Sequence, residues 1–101
     1  MAIQWSNFAL QSLEEIIAYY ELQGGRRLAD RALAEIWDQV EASNLFPKAM
    51  PLSDVLGDVF PGMRKLVIST FPYVAFLRQL DDDLWEVVDV VHTSRKLPKT
   101  S

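Results

Sequence analysis

Arg64, Arg78 and His92 are the residues in this chain whose types could act together on a substrate. A guanidinium is planar, permanently charged and donates bidentately to phosphate oxygens. An imidazole has a reference pKa near ~6.5 and moves protons at neutral pH. Cleavage of an RNA phosphodiester needs those groups. A base takes the 2′-hydroxyl proton, an acid serves the leaving oxygen, and cations hold the charge of the phosphorane. Each residue also has a structural role open to it. His92 stands at the end of a strand and could close it by hydrogen bonding. Arg64 follows "PGM" and could tie down the preceding loop. Arg78 precedes an acidic "DDD" turn and could form a surface ion pair of small worth. Trp85 and Phe76 read as core rather than as stacking platforms.

The elements around these residues decide whether they meet. "AIQW" (2–5) alternates apolar and other residues and reads as a first strand. Ser6 is placed to cap the helix that follows. Ala9, Leu13, Ile16, Ile17 and Tyr20 form the stripe of an amphipathic helix, which Gly24-Gly25 ends. A second helix is predicted over about residues 26–45, with Ala29, Ala32, Leu33, Ile36 and Val40 inward. Arg26–Asp30 and Arg31–Glu35 are opposite-charge pairs at i,i+4 on its outer side. The short glycine link folds the two helices into an antiparallel hairpin.

Pro47, Pro51, Gly57, Pro61 and Gly62 then mark a long loop, with one short turn at "SDVLGD". Beyond it the period changes to two. "MRKLVIST" (63–70), "YVAFLRQL" (73–80) and "LWEVVDVVH" (84–92) are three strands joined by short links. They predict an antiparallel meander. The fold class is α+β in the order β-α-α-β-β-β. A helical hairpin covers one face of a small, mostly antiparallel sheet, and the other face stays open to a partner. Alternation places Arg64 with Leu66 and Ile68, Arg78 with Val74 and Phe76, and His92 with Val88 and Val90. Whether Arg64, Arg78 and His92 converge depends on the order in which the strands pair.

The chain has 101 residues, and half of them are hydrophobic, which suits one domain over 1–101 with a single core. It has no cysteine and one histidine, so no disulfide framework, thiolate site or histidine metal cluster is expected, and no cofactor. The sequence has no apolar run of membrane-spanning length and no secretion signal, so a cytoplasmic location without membrane contact is expected. Net charge is −4, unlike the basic balance of proteins that grip nucleic acid for their main task. The basic residues are uneven: Arg64, Lys65, Arg78, Arg95, Lys96 and Lys99, six of the ten, follow residue 60.

Several stretches in this order carry a family likeness: Trp5-Ser6 closing the first strand, the helix with "LEEII" and "YY", "GMRKL" at 62–66, Leu77-Arg78, and "VVHTSRKLP" at 90–98. Together they resemble the RelE/ParE superfamily of plasmid-stabilisation toxins, over nearly the whole chain. The resemblance implies a toxin of a bacterial type II toxin–antitoxin module, which inhibits growth and is neutralised by a cognate antitoxin in a hetero-oligomer. It also implies one of two targets. ParE-like members block DNA gyrase by protein contact. RelE-like members enter the ribosome and cut mRNA, and there Arg64, Arg78 and His92 would be catalytic. The features of this chain sit nearer ParE: Leu77 stands where many relatives have Tyr, Thr93 follows His92 where nuclease members place Tyr, and Lys48 is the one lysine in the loop before Arg64. Whether the chain is an enzyme is therefore open. A third expectation is an inactive relative that serves only as a subunit of the complex.

Overall fold

The computed structural model describes residues 2–43 and 62–94. Within them the order is β1 (Ala2–Trp5), α1 (Asn7–Ser43), β2 (Arg64–Val67), β3 (Tyr73–Asp81) and β4 (Leu84–His92). Pro47, the "SDVLGD" turn, Lys48, Arg95, Lys96 and Pro98 lie outside the described residues.

Ser6 caps α1 as its type predicts. Its Oγ accepts the Ala9 backbone N–H at 3.0 Å, which satisfies one of the donors left over in the first helical turn. The same hydroxyl donates to the Val88 carbonyl at 2.6 Å. The cap therefore also fastens the helix to β4.

Helix α1 is broken at Gly25, whose φ of 82° and ψ of −175° only glycine adopts without strain. A straight helix of 37 residues would be ~55 Å long, at ~1.5 Å per residue, against a longest dimension of 39 Å. The chain folds back at the glycines into a first arm (7–24) and a second arm (26–43). Both arms bury one stripe in a common core. Ala9, Leu13 and Ile16 from the first arm and Ile36 and Val40 from the second meet Ile68, Ala75, Leu77, Trp85, Val87 and Val90 of the sheet segment. The expected hairpin thus forms, and its second arm is described as far as Ser43. Arg26 pairs with Asp30 at 3.2 Å, both exposed. Glu35 instead accepts from Thr70 Oγ1 at 3.1 Å, tying the second arm to the turn after β2.

The sheet order is β1-β4-β3-β2. The last three strands are the predicted meander. β1 adds parallel to β4, so the sheet is mixed, with two antiparallel ladders out of three. Trp5, at the end of β1, stacks on Trp37 of the second arm with centroids 4.6 Å apart and planes 4° from parallel.

Two expectations need correction. β4 bulges: Phe76 faces Asp89 and Leu77 faces Val87, leaving Val88 as the extra residue. One added residue turns the side chains beyond it over. Val88 therefore packs with Met63, Phe76 and Val91 rather than sharing a face with His92 and Val90. The second correction follows from that cluster. Met63, Phe76 and Val91 are each 4% exposed or less, so the sheet face away from the helices is not bare.

Candidate functional site

The register holds Arg64, Arg78 and His92 apart. Arg64 opens the edge strand β2 opposite Leu77, a residue of the helix-side core, and alternates with Leu66 and Ile68 on that side. Its Nε is shielded from solvent. Arg78 is next to Leu77 in β3 and therefore points to the opposite face. There it sits directly across from Glu86, with Nε 2.9 Å from Oε1. Gln4 of β1 donates to the other Glu86 oxygen at 3.4 Å. Glu86 thus links three adjacent strands. Arg78 does form an ion pair, but across the ladder and not with the "DDD" turn.

His92 ends β4 opposite Tyr73. It lies six residues beyond Glu86, hence roughly 20 Å from Arg78 along the strands. Four steps of β3 and two strand spacings put it roughly 16 Å from Arg64. The Ser94 backbone N–H donates to Nδ1 at 3.1 Å, and the Ser94 hydroxyl lies 2.9 Å from the same nitrogen. A backbone N–H can only donate, so Nδ1 is an acceptor and the ring proton sits on Nε2. The ring meets Tyr73 edge-on at 5.4 Å, and Thr93 N–H donates to the Pro72 carbonyl at 2.8 Å. His92 closes the end of the sheet in the way its position in the strand suggests.

Beside it lies a cleft of about 400 Å³ between the first arm and the ends of β3 and β4. Ser12, Glu15, Tyr19, Tyr73, Asp89 and His92 line it, over a floor of Ile16, Val90 and Val91. Asp89 is fully buried. It accepts from the Ser12 hydroxyl and from the Val90 backbone N–H. Burial, and then a hydrogen bond with Tyr20, push the Tyr73 phenol well above its ordinary pKa, so it remains neutral at physiological pH. The cleft is therefore acidic and aromatic. Reasoning from the sequence passed over Asp89, although a charged residue inside "VVDVV" is itself a signal, since carboxylates are rarely buried without partners.

Among the described residues no helix is long and apolar enough to cross a membrane, and no group of His, Asp and Glu could hold a metal ion. The arrangement is a two-armed helix on a mixed four-stranded sheet, with its arginines dispersed over two faces. The same fold occurs in the solved structure of a chromosomal ParDE toxin–antitoxin system from P. aeruginosa, at 21% identity and a TM-score of 0.77, covering 91% of this chain and 95% of that one. The family model for the ParE toxin of the type II toxin–antitoxin system parDE matches residues 3–97. The chain belongs to the ParE toxin family. No curated protein matches it.

Proposed function

We propose that this chain inhibits growth by protein contact with a DNA topoisomerase, DNA gyrase, and that a cognate antitoxin neutralises it in a toxin–antitoxin hetero-oligomer in the cytoplasm. The observation that carries this choice of mechanism is the register, which puts Arg64 and Arg78 on opposite faces and His92 about 16–20 Å from either of them. Phosphodiester cleavage needs its proton-transfer group and its cations around one phosphate. Neither the separation nor the net charge of −4 favours entry into the ribosome and cutting of mRNA. Membership of the ParE family and the antitoxin partner named for the P. aeruginosa system support the antitoxin.

The test is to induce the chain alone and follow plasmid supercoiling, DNA breaks and transcript length in the same cells. Gyrase inhibition predicts altered supercoiling or breaks with transcripts intact. The triple variant Arg64→Ala, Arg78→Ala, His92→Ala should not shorten or lengthen any transcript. Shortened transcripts that this variant restores would establish the ribonuclease mechanism instead. Unchanged growth would establish a subunit without toxic activity.

A further inference from the structure

The cleft beside His92 has walls suited to one kind of guest. Its volume of about 400 Å³ lies within the ~300–1,000 Å³ of small-molecule sites. Tyr73 and His92 meet at 84° with centroids 5.4 Å apart, so two of the lining rings stand as perpendicular walls. Tyr19, 52% exposed, adds a third ring from the first arm of α1. The face of an aromatic ring is the negative pole of its quadrupole and attracts an ammonium group. Glu15 precedes Tyr19 by four residues, so the carboxylate and the ring are neighbours on one side of the helix. Ile16 and Val90 give the cleft an apolar floor. Among the described residues that line it, none is a lysine or arginine. Residues 7–24 hold three glutamates and no lysine or arginine, so the potential on this side of the fold favours a cation. Glu15 and Asp89 are both engaged within the chain already. The rings therefore hold the guest, and Glu15 adds its charge.

We propose that this cleft binds a free aliphatic amine. The ammonium head lies between the rings of Tyr19, Tyr73 and His92 beside Glu15, and the hydrocarbon stem lies on Ile16 and Val90. Each part of the cleft selects one property of the guest. The rings prefer a cation to a neutral alcohol of the same shape. Glu15 repels a carboxylate. The apolar floor prefers an alkylammonium to a bare ammonium ion, because only the former buries apolar surface. The site needs no partner protein and does not depend on the toxin reading.

The test titrates the full chain at neutral pH with n-pentylammonium, n-pentanol, pentanoate and ammonium chloride at matched ionic strength. NMR follows the rings of Tyr19, Tyr73 and His92 and the methyl groups of Ile16 and Val90. Pentylammonium should shift these signals saturably, and the other three should not. Tyr19→Ala should weaken binding at least ~3-fold, and Tyr19→Phe, which keeps the ring, should restore it. Glu15→Gln should weaken it about 3-fold. Both positions are exposed, and unchanged circular dichroism checks the fold of each variant. Equal shifts with pentanol would reduce the site to its apolar floor, and equal shifts with ammonium chloride would reduce it to bulk charge. Either result overturns the proposal, as would shifts confined to other residues, indifference to Tyr19→Ala or Glu15→Gln, or a Tyr19→Phe variant as weak as Tyr19→Ala. Binding that appears only after Arg95→Ala would also overturn it, by giving the cleft to the chain's own guanidinium. None of these outcomes alters the growth assay, so a failed cleft and a failed toxin assignment remain distinguishable.

Discussion

Ser12, in the second turn of α1, donates its hydroxyl to the carboxylate of Asp89, which is fully buried in β4. The pair sits just past the bulge at Val88, whose own carbonyl accepts from Ser6. Two serines of one helix therefore hold the irregular stretch of the central strand. A buried carboxylate costs several kcal/mol unless hydrogen bonds replace its lost water, and Ser12 supplies one of them.

Ser12→Ala removes that donor and leaves the carboxylate in place. The expected loss of stability is ~1–3 kcal/mol, the cost of depriving a buried acceptor of a hydrogen-bond donor. For a domain of this size each kcal/mol lowers the melting temperature by ~4–8 °C. Thermal and urea unfolding measure it. A midpoint equal to wild type would mean the bond contributes nothing net.

Gly25→Ala should cost ~1–3 kcal/mol, because φ 82°, ψ −175° is accessible to glycine and strained for any residue with a Cβ. The Cβ itself would have open space, so the cost is conformational and not steric. Gly24→Ala is the contrasting case. There the added carbon would come within 2.6 Å of Leu28 Cδ2, the movable end of a side chain. Urea unfolding should rank Gly25→Ala as the more damaging change; the reverse order would place the hinge at Gly24.

Tyr73 makes stability depend on pH in the alkaline range. Its folded-state pKa is raised above the unfolded value of ~10. The stabilisation is fully present below ~10 and is lost as pH rises from there toward the folded-state pKa, because the unfolded chain releases the proton first. The slope attributable to Tyr73 approaches ~1.4 kcal/mol per pH unit. Urea midpoints at neutral pH and at two values above 10 should fall for the native chain and fall less steeply for Tyr73→Phe. Parallel curves would show that Tyr73 ionises alike in both states.

Arg78 and Glu86 should couple weakly despite their short contact. The Arg78 side chain is 51% exposed and Glu86 14%, so solvent screens the pair. A double-mutant cycle with Arg78→Ala and Glu86→Ala is expected to give less than ~1 kcal/mol. A larger coupling energy would mean that Glu86, which also accepts from Gln4, holds three strands cooperatively.

The N-terminal strand, the Ser6 cap, the glycine hinge and the β3–β4 meander were all legible, because each follows from residue type and spacing over a few positions. "AIQW" alternates, serine accepts at an N-cap, and "LWEVVDVVH" is a strand over its whole length. The bulge was not legible. Val88 looks like its neighbours, and the extra residue is visible only against Phe76 and Leu77 on the partner strand. That one residue separated Val88 from Val90 and changed which side chains share a face with His92.

The amino-acid sequence by itself determined the elements, their apolar stripes, the acidic first arm and the family to which the chain belongs, all of which are written in short-range periodicity and motif order. Only the tertiary structure decided that β1 joins β4 in parallel, that Ser12 reaches Asp89, and that Arg64, Arg78 and His92 stand apart. These depend on which distant segments pair and in what register, and a shift of one residue in a strand exchanges one face for the other.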